Sequence, residues 1–278
     1  METVINGLKT NKAFAITTCL VFVLIAIAIL APVIAPYDPT HAAMADAYMD
    51  PGAKHLFGTD KLGRDCFSRV VYGGRSSLSG VLILVACVFS VGTTLGVLAG
   101  YFGGKVDVVI MRFSDMMISF PGMILAIAVA GIMGGSLVNA VIALTIVSWT
   151  KYARLARSMV LKIKRRDFVD AAIVNGGSPS HILWVHILPN ILPMMVITAA
   201  SDIGGLMMEL AGLSFLGFGA QPPAPEWGLM LNEGRQQLQT APWLMIFPGL
   251  AIFVTVVIFN LWGDNLRDVL DPRNDVED

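Results

Sequence analysis

Two carboxylates interrupt an otherwise apolar stretch of this chain. Asp202 and Glu209 are seven residues apart within 188–219, a segment rich in Ile, Leu, Met, Ala and Gly. On a helix this spacing puts both side chains on nearly one face, two turns apart. Such a face could line a path for a cationic or zwitterionic solute. It could equally hydrogen-bond to a partner chain or hold Gly204-Gly205 in place, and the residues favour neither role.

The rest of the sequence offers no catalytic or metal-binding motif. It contains neither His-Glu-x-x-His nor Gly-x-Ser-x-Gly, and its three cysteines and four histidines lack metal-ligand spacing. Gly103-Gly104-Lys105-Val106 is not a phosphate-binding loop, because the upstream glycine and the hydroxyl residue are missing. We therefore expect no catalytic residue, no metal site and no cofactor bound by this chain.

A second candidate site lies between Lys151 and Pro189. A basic strip at 162–166 precedes residues 167–175, whose pattern predicts a short amphipathic helix. Gly176-Gly177 can end that helix with a positive φ, and Ser178-Pro179 supplies an N-cap and a first-turn proline for a second helix running toward Pro189. One stripe of the first helix is formed by Phe168, Ala171, Ala172 and Asn175.

Small side chains on this helix would let another protein press closely against it. Ala171, Ala172 and Gly176 are small enough to allow such contact. A partner that binds there could move the helix as a rigid body. The pattern alone is equally compatible with an ordinary cytosolic helical hairpin whose cations only set the topology.

The elements that must position these sites are membrane spans. Of 278 residues, 55% are hydrophobic and 14% charged, whereas soluble domains carry about 25% charged residues. Crossing a hydrocarbon core of about 30 Å takes about 20 apolar residues. Gly134-Gly135-Ser136 divides one long run into helices at 117–133 and 137–152, and the total is six spans. The apolar runs are 13–36, 76–104, 116–150, 188–219 and 241–263.

The placement of cations predicts the orientation of the spans. Thirteen of the 19 Lys and Arg residues lie on the side of both termini and of 151–187, which favours the cytosol for those segments. The net charge of -1 argues against nucleic acid as a partner. A charge at the bilayer centre costs about 2.5 to 3.5 kcal/mol, so Asp202 and Glu209 should face a pathway or a partner chain.

Glycines mark one face of the second predicted span. Gly92, Gly96, Gly100 and Gly104 recur at four-residue intervals and would let another backbone approach closely. We expect a helix contact along that face. After the fifth span, prolines at 222–225 predict a non-cytosolic re-entrant or surface segment, with Trp227 and Trp243 near the membrane interface.

The segment between Lys151 and Pro189 also resembles a known family. Asp170-Ala171-Ala172, then Gly176, then Ile187-Leu188-Pro189 is similar to the EAA loop of binding-protein-dependent ABC importer permeases. Asp170 stands where that loop usually has Glu, and His186 where it has an aliphatic residue. Further motifs resemble the dipeptide, oligopeptide and nickel permeases, specifically the subunit type with a long loop after the first span. They are Gly58-Thr59-Asp60, Gly63-Arg64-Asp65, Ser68-Arg69, Arg75 with Ser77-Leu78, residues 213–219, Pro222-Pro223 with Glu226-Trp227-Gly228, Leu266-Arg267-Asp268 and Asp271-Pro272.

The resemblance implies an all-α integral membrane protein with the type I ABC importer permease fold. Its parts would be a tail and first span (1–36), a polar extracytoplasmic connector (37–75), a five-helix core (76–265) with a cytosolic coupling loop (151–187), and a cytosolic tail (266–278). The residues implied for ATPase coupling are Asp167, Phe168, Asp170, Ala171, Ala172, Gly176, Gly177, Ser178 and Pro189.

It further implies the partners and the cargo. These are a second homologous permease in a heterodimer, two ATPase subunits that hold ATP and Mg²⁺, and an external solute-binding protein, all at a bacterial or archaeal inner membrane. The cargo would be peptides or nickel, free or chelated. Two other classes of protein are alternatives: a self-contained secondary transporter or channel using Asp202 and Glu209, and an intramembrane enzyme, whose catalytic motifs the sequence lacks.

Overall fold

The computed structural model describes residues 7, 8 and 10–270, so the predictions for Asp271-Pro272 and for 271–278 of the tail lie outside it. The predicted tail does not begin at 266, because the last helix continues to Leu270. Within the described residues the chain is helical, with one isolated β-bridge between Thr59 and Asp65. The helices are α1 (Lys12–Ile29), α2 (Ala31–Ile34), α3 (Cys66–Phe102), α4 (Gly104–Ile118), α5 (Gly122–Met133), α6 (Leu137–Ile163), α7 (Asp167–Val174), α8 (Pro179–Phe215), α9 (Trp227–Gly234) and α10 (Trp243–Leu270).

Among the described residues, four helices are long and apolar enough to cross a membrane: α1, α3, α8 and α10. The pair α4 and α5 passes the same test together, although it is bent by 94°. The sixth predicted span corresponds to α6, which has 27 residues but carries Lys151, Arg154 and Arg157 in its second half. Length and composition therefore support five of the six predicted spans.

Three further predicted boundaries are wrong. The third span does not start at 117, because α4 already begins at Gly104. The helix is interrupted at 119–121, where Pro121 has no backbone N–H to donate to a helical hydrogen bond. The connector does not extend to 75, because Asp65 caps α3 by accepting a 2.8 Å hydrogen bond from the Ser68 N–H. The coupling loop does not start at Lys151, since α6 continues to Ile163.

Helix α3 lies directly against α6 along its glycines. A Cβ added at Gly92 would come within 2.5 Å of the Trp149 carbonyl oxygen, and one at Gly100 within 2.8 Å of the Val160 Cβ. At Gly96 it would meet the backbone of Ala153 as well. Gly104 lies outside this contact, because it begins α4 with a φ of +51° and has no neighbour within 4 Å.

The second half of α6 is tied to α4 by two arginines. Arg157 donates from Nε and a terminal nitrogen to both carboxylate oxygens of Asp107, at 2.5 and 2.6 Å. Arg154 pairs with Asp115 at 2.6 Å. Arg154 and Arg157, predicted to lie in the coupling loop, thus hold α6 against α4.

A buried charge network joins the connector to α3 and α9. Arg64 and Arg69 are each 1% exposed and share the carboxylates of Asp60 and Glu233. Arg64 Nε lies 2.6 Å from Asp60, and Glu233 accepts from Arg64 at 3.0 Å and from Arg69 at 2.6 Å. Although burial opposes its charge, Asp60 and Glu233 raise the pKa of Arg64 above its usual value. Two cations and two anions thus balance within a dry cluster.

The two tryptophans predicted near the membrane interface, Trp227 and Trp243, are buried inside the protein. Trp227 donates its indole N–H to the Val70 carbonyl at 2.8 Å, and Trp243 donates to the Thr59 carbonyl at 3.2 Å. A buried indole needs such an acceptor. The segment after α8 is accordingly packed onto α3 and the connector.

We expect Gly96→Ala to destabilise the protein, because the new methyl group meets the α6 backbone and overpacking costs about 1–3 kcal/mol. The matched control is Gly249→Ala in α10, where the nearest atom to an added Cβ is 3.8 Å away. The midpoint of thermal unfolding of the purified chain in detergent measures both. Equal midpoints for the two variants would contradict the close α3–α6 contact.

We expect Glu233→Gln to lower the free energy of unfolding by about 3–5 kcal/mol, because it leaves two buried arginines with one carboxylate. The control is Asp46→Asn, which removes the partner of Lys54. That lysine lowers the pKa of Asp46, but the pair is exposed and should matter little. Denaturant or thermal unfolding compares the two variants. If Glu233→Gln lowered the free energy of unfolding by no more than Asp46→Asn, the buried charge network would not stabilise the protein.

Candidate functional site

The predicted coupling segment is built from local capping signals. Helix α7 ends at Val174, and Gly176 follows with a φ of +79°, a conformation that favours glycine. Ser178 accepts a 3.3 Å hydrogen bond from the His181 N–H, and Pro179 occupies the first turn of α8. Gly177 has an ordinary φ but lies close to Ala172, since a Cβ there would be 2.8 Å from the Ala172 carbonyl oxygen.

Helix α7 is seated on the start of α8 by one face. Val169 is fully buried in the core that also contains Ile182 and Ile187, and Ala172 packs partly buried against it. Ala172 therefore points into this chain rather than toward an outside body. Because α7 packs on α8, a force on α7 is passed directly to α8.

The opposite face of α7 is uncovered in this chain. Val174 is 85% exposed, and the apolar and acidic side chains around it are exposed as well. Phe168 contacts the ring of His186, with 6.2 Å between ring centroids. The exposed members of this surface, which we call the α7 surface, are Asp167, Phe168, Asp170, Ala171, Ile173, Val174, Asn175 and Gly176.

Helix α8 runs through Pro189 as one continuous helix, from the predicted coupling segment into the apolar stretch that follows. A π-helical stretch, Ile182–Ile187, leads into Pro189, with the Leu188 N–H bonded to the Leu183 carbonyl five residues back. Pro189 has no N–H and leaves no donor unpaired in this turn. The same winding brings His181 and His186, five residues apart, to 5.7 Å between ring centroids.

A polar cavity of about 290 Å³ lies between the middle of α6 and the second half of α8. Lys151 donates to Asp202 at 2.6 Å, and Ser148 donates to Glu209 at 3.4 Å. The Tyr152 hydroxyl is buried beside Asp202 and makes no hydrogen bond of normal geometry with the described residues. The lining consists of Ser148, Thr150, Lys151, Tyr152, Asp202, Gly205, Leu206 and Glu209.

The structure thus brings Asp202 and Glu209 to one cavity and adds residues that sequence reasoning missed. Lys151 was assigned to the coupling loop because it opens a run of cations, yet it lies in mid-helix and pairs with Asp202. The sequence contains a signal for this placement: residues 137–163 include no glycine or proline, which favours one continuous helix with Lys151 in its middle. In the described part of the chain, no group of three or more His, Cys, Asp and Glu side chains could hold a metal ion.

Comparison with known proteins decides the family. Residues 92–276 match the model described as "Binding-protein-dependent transport system inner membrane component", and residues 2–53 match the "N-terminal TM domain of oligopeptide transport permease C". The chain belongs to this permease family. It is therefore a multi-pass inner-membrane transport component and not an enzyme, and the transporter includes an ATPase and a substrate-binding protein. A self-contained secondary transporter is not favoured.

Relatives span nearly the whole permease. The chain is 43% identical to the dipeptide transport system permease protein DppC of Alkalihalophilus pseudofirmus, over 96% of this chain and 88% of that one. It is 46% identical to the glutathione transport system permease protein GsiD of Pectobacterium atrosepticum, over 91% and 84%. It is 41% identical to the nickel transport system permease protein NikC of Escherichia coli K12, over 86% of each.

A solved structure shows the fold. The permease resembles a chain of the MetNI methionine ABC transporter in an inward-facing conformation, with a TM-score of 0.60 at 20% identity, over 73% of this chain and 97% of that one. The type I ABC importer permease fold implied by the sequence is thereby confirmed. This likeness concerns the fold alone.

We expect the Lys151–Asp202 pair to contribute a measurable coupling energy. Asp202→Asn and Lys151→Met should each lower the free energy of unfolding. The loss in the double variant should be smaller than the sum of the two single losses by about 1 kcal/mol. This coupling energy is small because Lys151 is largely exposed. Thermal unfolding of the four proteins in detergent gives this coupling. Strictly additive losses would show that the contact contributes nothing.

Proposed function

We propose that this permease pairs with a second, homologous permease and forms the pathway of an importer driven by two ATPase subunits. The observation that carries the proposal is a continuous helical connection. The uncovered α7 surface is seated on α8, and α8 carries Asp202 and Glu209 at the polar cavity. A push on the cytosolic end can therefore change the shape of the cavity.

The proposed cycle is alternating access. Closure of the ATPase subunits on ATP moves α7, and Val169 transmits the movement to Ile182 and Ile187 at the start of α8. The connected helices α6 and α8 then rotate and open the pathway outward. ATP and Mg²⁺ are bound by the ATPase chains, since this chain has no phosphate-binding loop.

The charges of the cavity support a second permease. Glu209 and Lys151 are exposed in the single chain, and Lys151 is 63% exposed, although both lie partway along membrane helices. Facing them into hydrocarbon would cost about 2.5–3.5 kcal/mol each. A second permease over this face, with the pathway between the two, removes that cost.

The cargo is proposed from the relatives. Permeases named for dipeptide, glutathione and nickel transport are all more than 40% identical to this chain. We propose peptides or nickel, free or chelated, delivered by an extracytoplasmic binding protein. The bias of Lys and Arg favours both termini in the cytosol, on the side of α7.

We expect Gly176→Asp to reduce ATP-dependent uptake at least about tenfold, a factor within the range typical of coupling between two sites. The substitution adds a charged side chain to the α7 surface, at a position whose φ of +79° favours glycine. Copurification of the ATPase with the tagged permease should fall as well. Uptake into proteoliposomes and pull-down from solubilised membranes measure the two effects.

The matched control is Gly217→Asp, which has a similar φ of +91° and no neighbour within 4 Å, but follows the other end of α8. It should leave ATPase copurification unchanged. If Gly176→Asp left both uptake and copurification at the native level, the α7 surface would not be the coupling site.

A further inference from the structure

Lys151 is the cation of the polar cavity, and its only hydrogen-bond partner among the described residues is Asp202. The Lys151 side chain is 63% exposed, whereas that of Asp202 is 19% exposed. An ammonium group carries three donors, and Asp202 accepts from one of them at 2.6 Å. Two donors therefore remain free to face the cavity.

The other ion pairs of α6 are built differently. Arg157 grips both oxygens of Asp107, and Arg154 binds Asp115 while also donating to the Ser114 hydroxyl. A guanidinium fork suits a permanent attachment, whereas a lysine is a flexible point charge that re-pairs easily. The pair at the cavity is the one of these three that can exchange partners.

Glu209 leaves the cavity with an excess negative charge. The Lys151–Asp202 pair is neutral, and Glu209 accepts one long hydroxyl bond, 3.4 Å from Ser148. Seven residues on a helix separate Asp202 and Glu209 by about 10.5 Å along the axis. The resting cavity thus offers one free carboxylate at one end and a neutral ion pair at the other.

We propose that Lys151 is a specificity-determining residue that leaves Asp202 to bind an anionic group of the passing solute, while Glu209 holds its cationic group. This deepens the proposed function and rests on it. The terminal charges of a dipeptide are at most about 7 Å apart, which fits between the two ends of this cavity. The ion pair re-forms when the solute leaves.

The same geometry disfavours a bare divalent cation. Metal–oxygen bonds are about 2.0–2.6 Å long, so one ion cannot bridge carboxylates that lie about 10.5 Å apart along a helix. Lys151 beside Asp202 also repels a cation. A metal ion would pass this site as a complex that carries its own anionic group.

The test uses the complete transporter in proteoliposomes, with dialanine, its C-terminal amide and nickel chloride as probes. Lys151→Met should reduce ATP-dependent uptake of dialanine about tenfold or more, the factor that one hydrogen bond to a charged group contributes. Uptake of the amide, which has no carboxylate for Lys151 to bind, should differ by less than about twofold between Lys151→Met and the native transporter. Lys151→Arg should keep dialanine uptake, and Lys105→Met on an exposed surface is the control.

Each outcome decides between distinct possibilities. Equal loss for dialanine and its amide would make Lys151 a structural residue and overturn the proposal, as would unchanged dialanine uptake in Lys151→Met. Faster uptake of nickel chloride than of dialanine by the native transporter would also overturn it. Absence of ATP-dependent uptake of all three probes by the native transporter would contradict the proposed function itself.

Discussion

The close approach of α3 and α6 is the constraint on which the rest of the permease depends. Gly92, Gly96 and Gly100 place the α3 backbone against the α6 segment from Trp149 to Val160. In a bilayer, where lipid is as apolar as leucine, such backbone contact is a main source of helix association. The contact fixes α6, and α6 in turn carries the cavity lysine, the two arginines bound to α4 and the entry to α7.

Two helices then connect α7 with the polar cavity. Helix α6 runs from Lys151 to the turn before α7, and α8 runs from the turn after α7 to Asp202 and beyond. The Lys151–Asp202 pair joins them along their length, and α7 joins them where α6 ends and α8 begins. A movement applied at α7 can therefore reach the same cavity along two helices, through α6 by the chain and through α8 by the packing of Val169 on Ile182 and Ile187.

The opposite end of the molecule is held by buried charge. Arg64 and Arg69 are almost fully buried and share two carboxylates with full charge balance, so separating the connector from α9 would strand a charge in a dry site. The cavity pair is exposed and joined by a lysine. This contrast suits the buried network to fixing the connector against α9, and the exposed pair to the proposed exchange of partners.

The sequence by itself determined the membrane class, the family and the local signals around Gly176, Ser178 and Pro179, because these depend on composition and on neighbouring residues. It also placed Asp202 and Glu209 on one helix face. Only the tertiary structure decided where α3 and α6 begin and end, that Ala172 faces inward, that Gly104 leaves the glycine contact and that both tryptophans are buried. The same holds for Lys151: its partner is 51 residues away in sequence, and a charge is assigned to a loop or a cavity only by what the fold places opposite it.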